Sequence, residues 1–200
     1  DRTTNETNIN LILDLDGVGK GIIKTNVPFF DHMVDQLTFH SQIDLELRSQ
    51  GDVEIDDHHT VEDCGICLGK AFSEAMGDKK GIKRYGFFLL PMDDALIRVA
   101  LDFSGRSFLS WKVRFPTSSV GGFDLELVRE FFNSFSTNSG ATIHVEMLDG
   151  FNSHHISEAI FKGMGKAIKM AIARDERLDS IPSTKGCLLY TSPSPRDSVV

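Results

Sequence analysis

Two short segments of this 200-residue chain carry adjacent histidines followed by a glutamate, His58-His59-Thr60-Val61-Glu62 and His154-His155-Ile156-Ser157-Glu158. They stand 96 residues apart, and Gly69-Lys70-Ala71 returns at the same offset as Gly165-Lys166-Ala167. On a helix, side chains four apart share a face, whereas neighbours diverge by about 100°. His58 with Glu62, and His154 with Glu158, can therefore each grip one ion. His59 and His155 then point to a neighbouring ion. The economical arrangement is two sites that exchange ligands, with His58, Glu62 and His155 at one and His154, Glu158 and His59 at the other. Mixed imidazole and carboxylate donors suit Mn²⁺, Fe²⁺ or Co²⁺ better than a closed structural zinc site. The pattern is not the HExxH of single-zinc peptidases, because no glutamate lies between two histidines of one face. Two-metal hydrolysis and metal-assisted elimination are both accessible to such a donor set.

Further donors precede each segment. His32 and Glu130 occupy approximately equivalent places in the two halves and are expected to complete one shell each. Arg84, Arg106, Lys162 and Lys185 stand near turns or beside the histidine segments of a chain with net charge −8. Such cations can receive a phosphate through charge-assisted hydrogen bonds, which points to a small phosphorylated substrate. The acidic balance argues against nucleic acid as a partner, because neutralising its backbone needs clustered Lys and Arg.

The elements that must position these groups follow from hydrophobic period. Asn8 to Asp16 alternates as a strand, and Gly17, Gly19 and Gly21 suggest a tight turn back through Ile22 to Asn26, so a hairpin is expected. The glycine-rich GVGKG lacks the spacing of a phosphate-binding loop. From Pro28 the period becomes helical, then Ile43 to Leu47 reads as a strand and the segment after Asp57 as a helix ending at Gly77. The second half repeats the order, with strands at Phe87 to Leu90, Ala95 to Phe103 and Ser107 to Phe115, a turn at Ser104-Gly105-Arg106, and a helix from Asp124 to Phe135. A strand from Ala141 to Leu148 and a helix from Asn152 to Arg174 complete it. The fold class is α+β, a tandem duplication of a ββαβα unit in which each half is a mainly antiparallel sheet packed against helices. The expected boundaries are 1–86 and 87–185, with 186–200 a disordered or non-native tail whose Ser-Pro-rich composition has no apolar face. Cys64, Cys67 and Cys187 make no disulfide framework, and the first two read as core thiols. No apolar run approaches the ~18 residues of a membrane span, and no N-terminal signal pattern is present.

The segments PFFDHMVDQL, GDVEIDDHHTVEDCGICLGKA, GIKRYG, PMDDAL, DFSGR and NSHHISEAIFK resemble the imidazoleglycerol-phosphate dehydratase family over about Glu6 to Lys185. That resemblance implies two similar ββαβα halves, assembly into a hollow homo-oligomer of 24 subunits, and active sites between subunits holding two Mn²⁺ each. It implies dehydration of D-erythro-1-(imidazol-4-yl)glycerol 3-phosphate to 3-(imidazol-4-yl)-2-oxopropyl phosphate in histidine biosynthesis. His32, His59, His154 and Glu158 correspond to one manganese site and His58, Glu62 and His155 to the other. Some members carry a histidine at the place of Glu130. Glu6 resembles a substrate-contacting carboxylate and, with Glu62 and Glu158, is a candidate for proton transfer. Arg84, Arg106, Lys162, Ser183, Thr184 and Lys185 resemble substrate and phosphate contacts. Some eukaryotic members act in a plastid and microbial ones in the cytoplasm, a choice the residues do not make. Two other readings of the residues are a two-metal phosphatase, which would release phosphate, and a metal-loaded scaffold, which would tolerate loss of Arg106 and Lys162.

Overall fold

The computed structural model describes residues 1–178 and 180–188. Most of the expected 186–200 tail therefore lies outside the described residues. The first half runs β1 (Arg2–Thr3), β2 (Thr7–Asp14), β3 (Gly21–Lys24), α1 (Pro28–Ser41), β4 (Asp44–Gly51) and α2 (His58–Met76). The second runs β5 (Tyr85–Met92), β6 (Ala95–Asp102), β7 (Phe108–Lys112), the short hairpin β8 (Ser119–Val120) and β9 (Phe123–Asp124), then α3 (Glu126–Ser139), β10 (Thr142–Asp149) and α4 (Ser153–Ile172). Each half thus contains the ββαβα order, with one further strand at its leading edge.

The two four-stranded sheets have the same permuted order, β1-β2-β4-β3 and β5-β6-β10-β7. This corrects the expected β2–β3 hairpin. β4 lies between those strands, antiparallel to β2 and parallel to β3. The glycines after Asp16 carry the chain across the start of β4: Val18 and Lys20 donate their N–H groups to Asp44 Oδ1 at 2.9 and 2.8 Å. A Cβ on Gly17 would collide with the Asp44 nitrogen, so close backbone passage, and not a two-stranded turn, is what this glycine serves. In the second half the leading hairpin is real, because β5 and β6 pair antiparallel through a turn at Asp93-Asp94.

The helices lie between the sheets. α2 packs on β2 and β4, α1 on β3, α4 on β5 and β6, and α3 on β7, while α1 meets α4 and α2 meets α3 across the two halves. Phe30, Phe72, Phe103, Phe131, Phe132, Phe135 and Phe161 are fully buried in one core that spans both halves. Close helix approach depends on glycine. A Cβ on Gly69 of α2 would meet Phe135 O at 2.7 Å, Asn138 Cβ at 2.8 Å and Ser139 N at 3.0 Å. A Cβ on Gly165 of α4 would meet Leu37 O at 2.7 Å, His40 Cβ at 3.0 Å and Ser41 N at 3.0 Å. Each α3 contact is 98 positions after its α1 counterpart, so these contacts align α1 with α3 residue by residue. Cys64 is buried in this core and Cys67 half-buried, with burial pushing both thiols up.

Candidate metal centre and substrate cavity

Pairing α1 with α4 brings His32, His154 and Glu158 together, with one donor atom of each within 4.8 Å of the others. Among the described residues this is the one such group of three or more His, Cys, Asp or Glu side chains. Local sequence places α4's share. Asn152 caps the helix by accepting the N–H groups of His154 and His155 at 2.9 and 3.2 Å, so the first turn opens on the histidine pair. His154 and Glu158 then project one turn apart on the same face. His32 Nε2 lies 2.9 Å from Glu158 Oε1, and the ring of Phe29 packs edge-on against His154 at 5.4 Å between centroids. Glu158 is only 7% exposed. Burial acts to raise its carboxyl, but the His32 contact and Lys162, whose Nζ is 3.4 Å away, outweigh burial and hold it below its ordinary value. A charged carboxylate beside two imidazoles in a half-buried setting is a fitting donor set for a first-row divalent ion.

The counterpart on α2 has the same beginning. His58 Nε2 is 3.8 Å from Glu62 Oε2, one turn along the helix. The glycine contacts make Glu130 the counterpart of His32, since the two are also 98 positions apart. Glu130 nonetheless does not meet His58 and Glu62 as His32 meets its partners. Its carboxylate lies 3.7 Å from Arg129, and it lines a cavity with Asp124 and Glu126, while His58 faces a second cavity bordered by the same two residues.

The second histidine of each pair turns away from the first, as a 100° step requires. His59 Nδ1 lies 3.0 Å from Asp52 Oδ2, and its Nε2 lies 3.8 Å from Glu6. The Asp52 contact and Glu6 raise the His59 pKa above its ordinary value against a smaller opposing effect of burial. His155 Nδ1 lies 2.6 Å from Asp94 Oδ1, and its Nε2 lies 3.7 Å from Asp93. Asp94 is held well below the usual carboxylate range, first by the Phe151 N–H and then by His155. The expected exchange of ligands therefore does not occur within one chain: His59 stays at its own end, beside Glu6, and His155 faces the β5–β6 turn. Asp52, Asp93 and Asp94 are the site residues that sequence reasoning passed over. The available signal was the acidic pair in the turn of PMDDAL, placed by the hairpin against the start of α4.

The cationic candidates separate into two groups. Arg84, Arg106, Ser183, Thr184 and Lys185 line one cavity of about 900 Å³. Arg84 is not free there: Nε and Nη2 donate to Asp102 at 2.7 and 3.1 Å, and Nη1 donates to Pro182 O at 2.9 Å. It fastens the segment that carries Ser183 to Lys185. Arg106 is exposed at the cavity rim. Lys162 lies elsewhere, beside Glu158 and 3.2 Å from Met92 Sδ. No helix among the described residues is long and apolar enough to cross a membrane.

The imidazoleglycerol-phosphate dehydratase family model matches residues 25–168. The chain is 58% identical over 188 residues to the imidazoleglycerol-phosphate dehydratase of Cereibacter sphaeroides, covering 94% of this chain and 96% of that protein. It is 56% identical over the same length to that of Azoarcus sp., with the same coverage. The crystal structure of IGPD from Pyrococcus furiosus in complex with (S)-C348 superposes with a TM-score of 0.80 at 37% identity, covering 93% of this chain and 98% of that one. Imidazoleglycerol-phosphate dehydratase from Staphylococcus aureus superposes with a TM-score of 0.78 at 40% identity, covering 84% and 95%.

Proposed function

This chain belongs to the imidazoleglycerol-phosphate dehydratase family, hydro-lyases of histidine biosynthesis, and from that premise we propose that it dehydrates imidazoleglycerol phosphate to the 2-oxopropyl phosphate ketone at a site holding two manganese ions. The observation that carries the reading is the convergence of His32, His154 and Glu158 where α1 and α4 meet. These three would hold one ion and His58 with Glu62 the other, which Glu130 would join only by turning its carboxylate from the neighbouring cavity. His59 and His155 would be supplied to these sites by a second copy, because each stands apart from the donor group of its own chain. That division supports a homo-oligomer with sites between subunits, a 24-mer by the resemblance of the sequence. The bacterial origin of the relatives supports a cytosolic setting over a plastid.

A bound divalent ion would supply positive charge against the anion that develops in the elimination. The chain's own residues supply the rest. The hydroxyl on the carbon next to the ring leaves as water, the adjacent carbon gives up its hydrogen as a proton, and the enol so formed becomes the ketone. Glu6, exposed and 3.8 Å from His59 Nε2, would take that proton as a carboxylate base. Arg106, Lys185, Ser183 and Thr184 offer donors for the phosphate, with Arg84 holding their segment in place. Lys162 adds positive charge beside Glu158.

The test incubates Mn²⁺-loaded protein with imidazoleglycerol phosphate and follows ketone and free phosphate together. Ketone without phosphate supports the dehydratase. Phosphate without ketone would move the assignment to a two-metal phosphatase, and neither product from a folded, metal-bound protein would leave the scaffold reading.

A further inference from the structure

We propose that Asp94, in the β5–β6 turn, is a positioning residue that fixes the tautomer of His155 so that Nε2 is the free metal donor. The proposal rests on the reading of His155 as a ligand. The two oxygens of Asp94 do different work. Oδ2 accepts the N–H groups of Phe151 and Asn152 at 2.6 and 2.8 Å, which clamps the turn to the chain entering α4. Oδ1 faces His155 Nδ1 at 2.6 Å. A carboxylate that already accepts two backbone N–H groups has nothing to donate, so the neutral imidazole must place its proton on Nδ1 and its lone pair on Nε2. The same residue thus ties the first turn of α4 to the hairpin and sets which nitrogen of the ring can bind an ion.

The duplication does not explain this partner. His59 receives its carboxylate from Asp52, seven residues upstream on the same connection, at 3.0 and 3.2 Å. Asp149, six residues before His155, instead accepts the N–H of Gly150 at 2.9 Å. The second half has therefore recruited its carboxylate from a different element, a hairpin turn about 60 residues upstream. His59 also meets a turn carboxylate, Glu6 between β1 and β2, but at Nε2 and 3.8 Å away, so only at His155 does the hairpin turn hold Nδ1.

The separate tasks of the two oxygens make the proposal testable with Asp94→Asn. An amide oxygen in the Oδ2 position keeps both backbone contacts, while the NH₂ group now faces Nδ1 and can only donate. His155 should invert to the Nε2–H tautomer, seen in magic-angle-spinning ¹⁵N spectra of metal-free, histidine-labelled protein at a pH where the ring is neutral. His155→Gln assigns the resonances. Mn²⁺ titrated calorimetrically into the full assembly should bind about 10–100-fold more weakly. Asp94→Ala should lose affinity similarly and also melt earlier, because the backbone clamp goes too. An unchanged tautomer in Asp94→Asn, or Mn²⁺ affinity within twofold of native, overturns the proposal. So does a native spectrum without the Nδ1–H form, whatever the variants do. Native protein that binds Mn²⁺ but forms no ketone defeats the proposed activity and leaves these comparisons standing.

Discussion

Replacing Gly165 by alanine tests the helix contact that brings His32 to His154 and Glu158. The new methyl would lie 2.7 Å from Leu37 O, 3.0 Å from His40 Cβ and 3.0 Å from Ser41 N, whereas ordinary contact begins near 3.4 Å. Two of the three neighbours are backbone atoms of α1, so relief requires the helices to part by about 0.7 Å, the shortfall at the carbonyl, in a core packed to crystal density. Overpacking of this kind costs about 1–3 kcal/mol, and a backbone obstacle places it toward the upper end. Alanine recovers about 1 kcal/mol in helix propensity. The net expectation is about 2 kcal/mol of destabilisation, a fall in melting temperature of roughly 4–8 °C for a chain of this size. His32 is carried by α1 and its partners by α4, so the same displacement should weaken Mn²⁺ binding about tenfold or more, since ligand constellations tolerate only about 0.5 Å. Calorimetric melting of metal-free protein and Mn²⁺ titration read the two effects. Propensity alone predicts the opposite sign, so a variant that melts higher than native would refute the argument from close packing.

Acid unfolding should show the contribution of Asp44. Its carboxyl is held low by the N–H groups of Lys20 and then Val18; the stabilisation is therefore present above the unfolded carboxylate pKa of about 3.9 and is lost as pH falls through the folded value. Asp44→Asn should flatten that part of a denaturant-melt series against pH while leaving the neutral-to-alkaline part parallel to native. Arg84→Lys should raise KM for the phosphorylated substrate by about tenfold or more, because a lysine cannot hold Asp102 and Pro182 O together, with kcat less affected. Equal loss in kcat would place Arg84 closer to the reacting atoms. Glu130→Ala should remove one class of Mn²⁺ site from a calorimetric titration and spare the His32 class; loss of neither would strike Glu130 from the donor set.

Much of the candidate site was legible because a metal-binding reading demands particular side chains at helical spacing. His58, Glu62, His154 and Glu158 could be paired before any fold was known, since one helical turn is enough to bring a pair together. His32 and Glu130 were found as partners through duplication alone. What local periodicity cannot express is the meeting of elements distant in sequence. The His32 contact with Glu158 spans 126 positions and exists because Gly165 lets α4 lie against the α1 backbone. The strand pairing is hidden for the same reason: a turn-rich GVGKG looks alike whether it folds a hairpin or passes over the start of β4, and only Asp44 distinguishes them. Helix and strand types, the repeated order and the candidate donors were readable from the residues, because these depend on side-chain period and composition. Tertiary structure alone decided that β4 enters between β2 and β3, that Glu130 faces another cavity than His58, that Arg84 braces the 183–185 segment, and that Asp94 holds His155. Each depends on long-range packing and on which hydrogen-bond partner lies nearest in space.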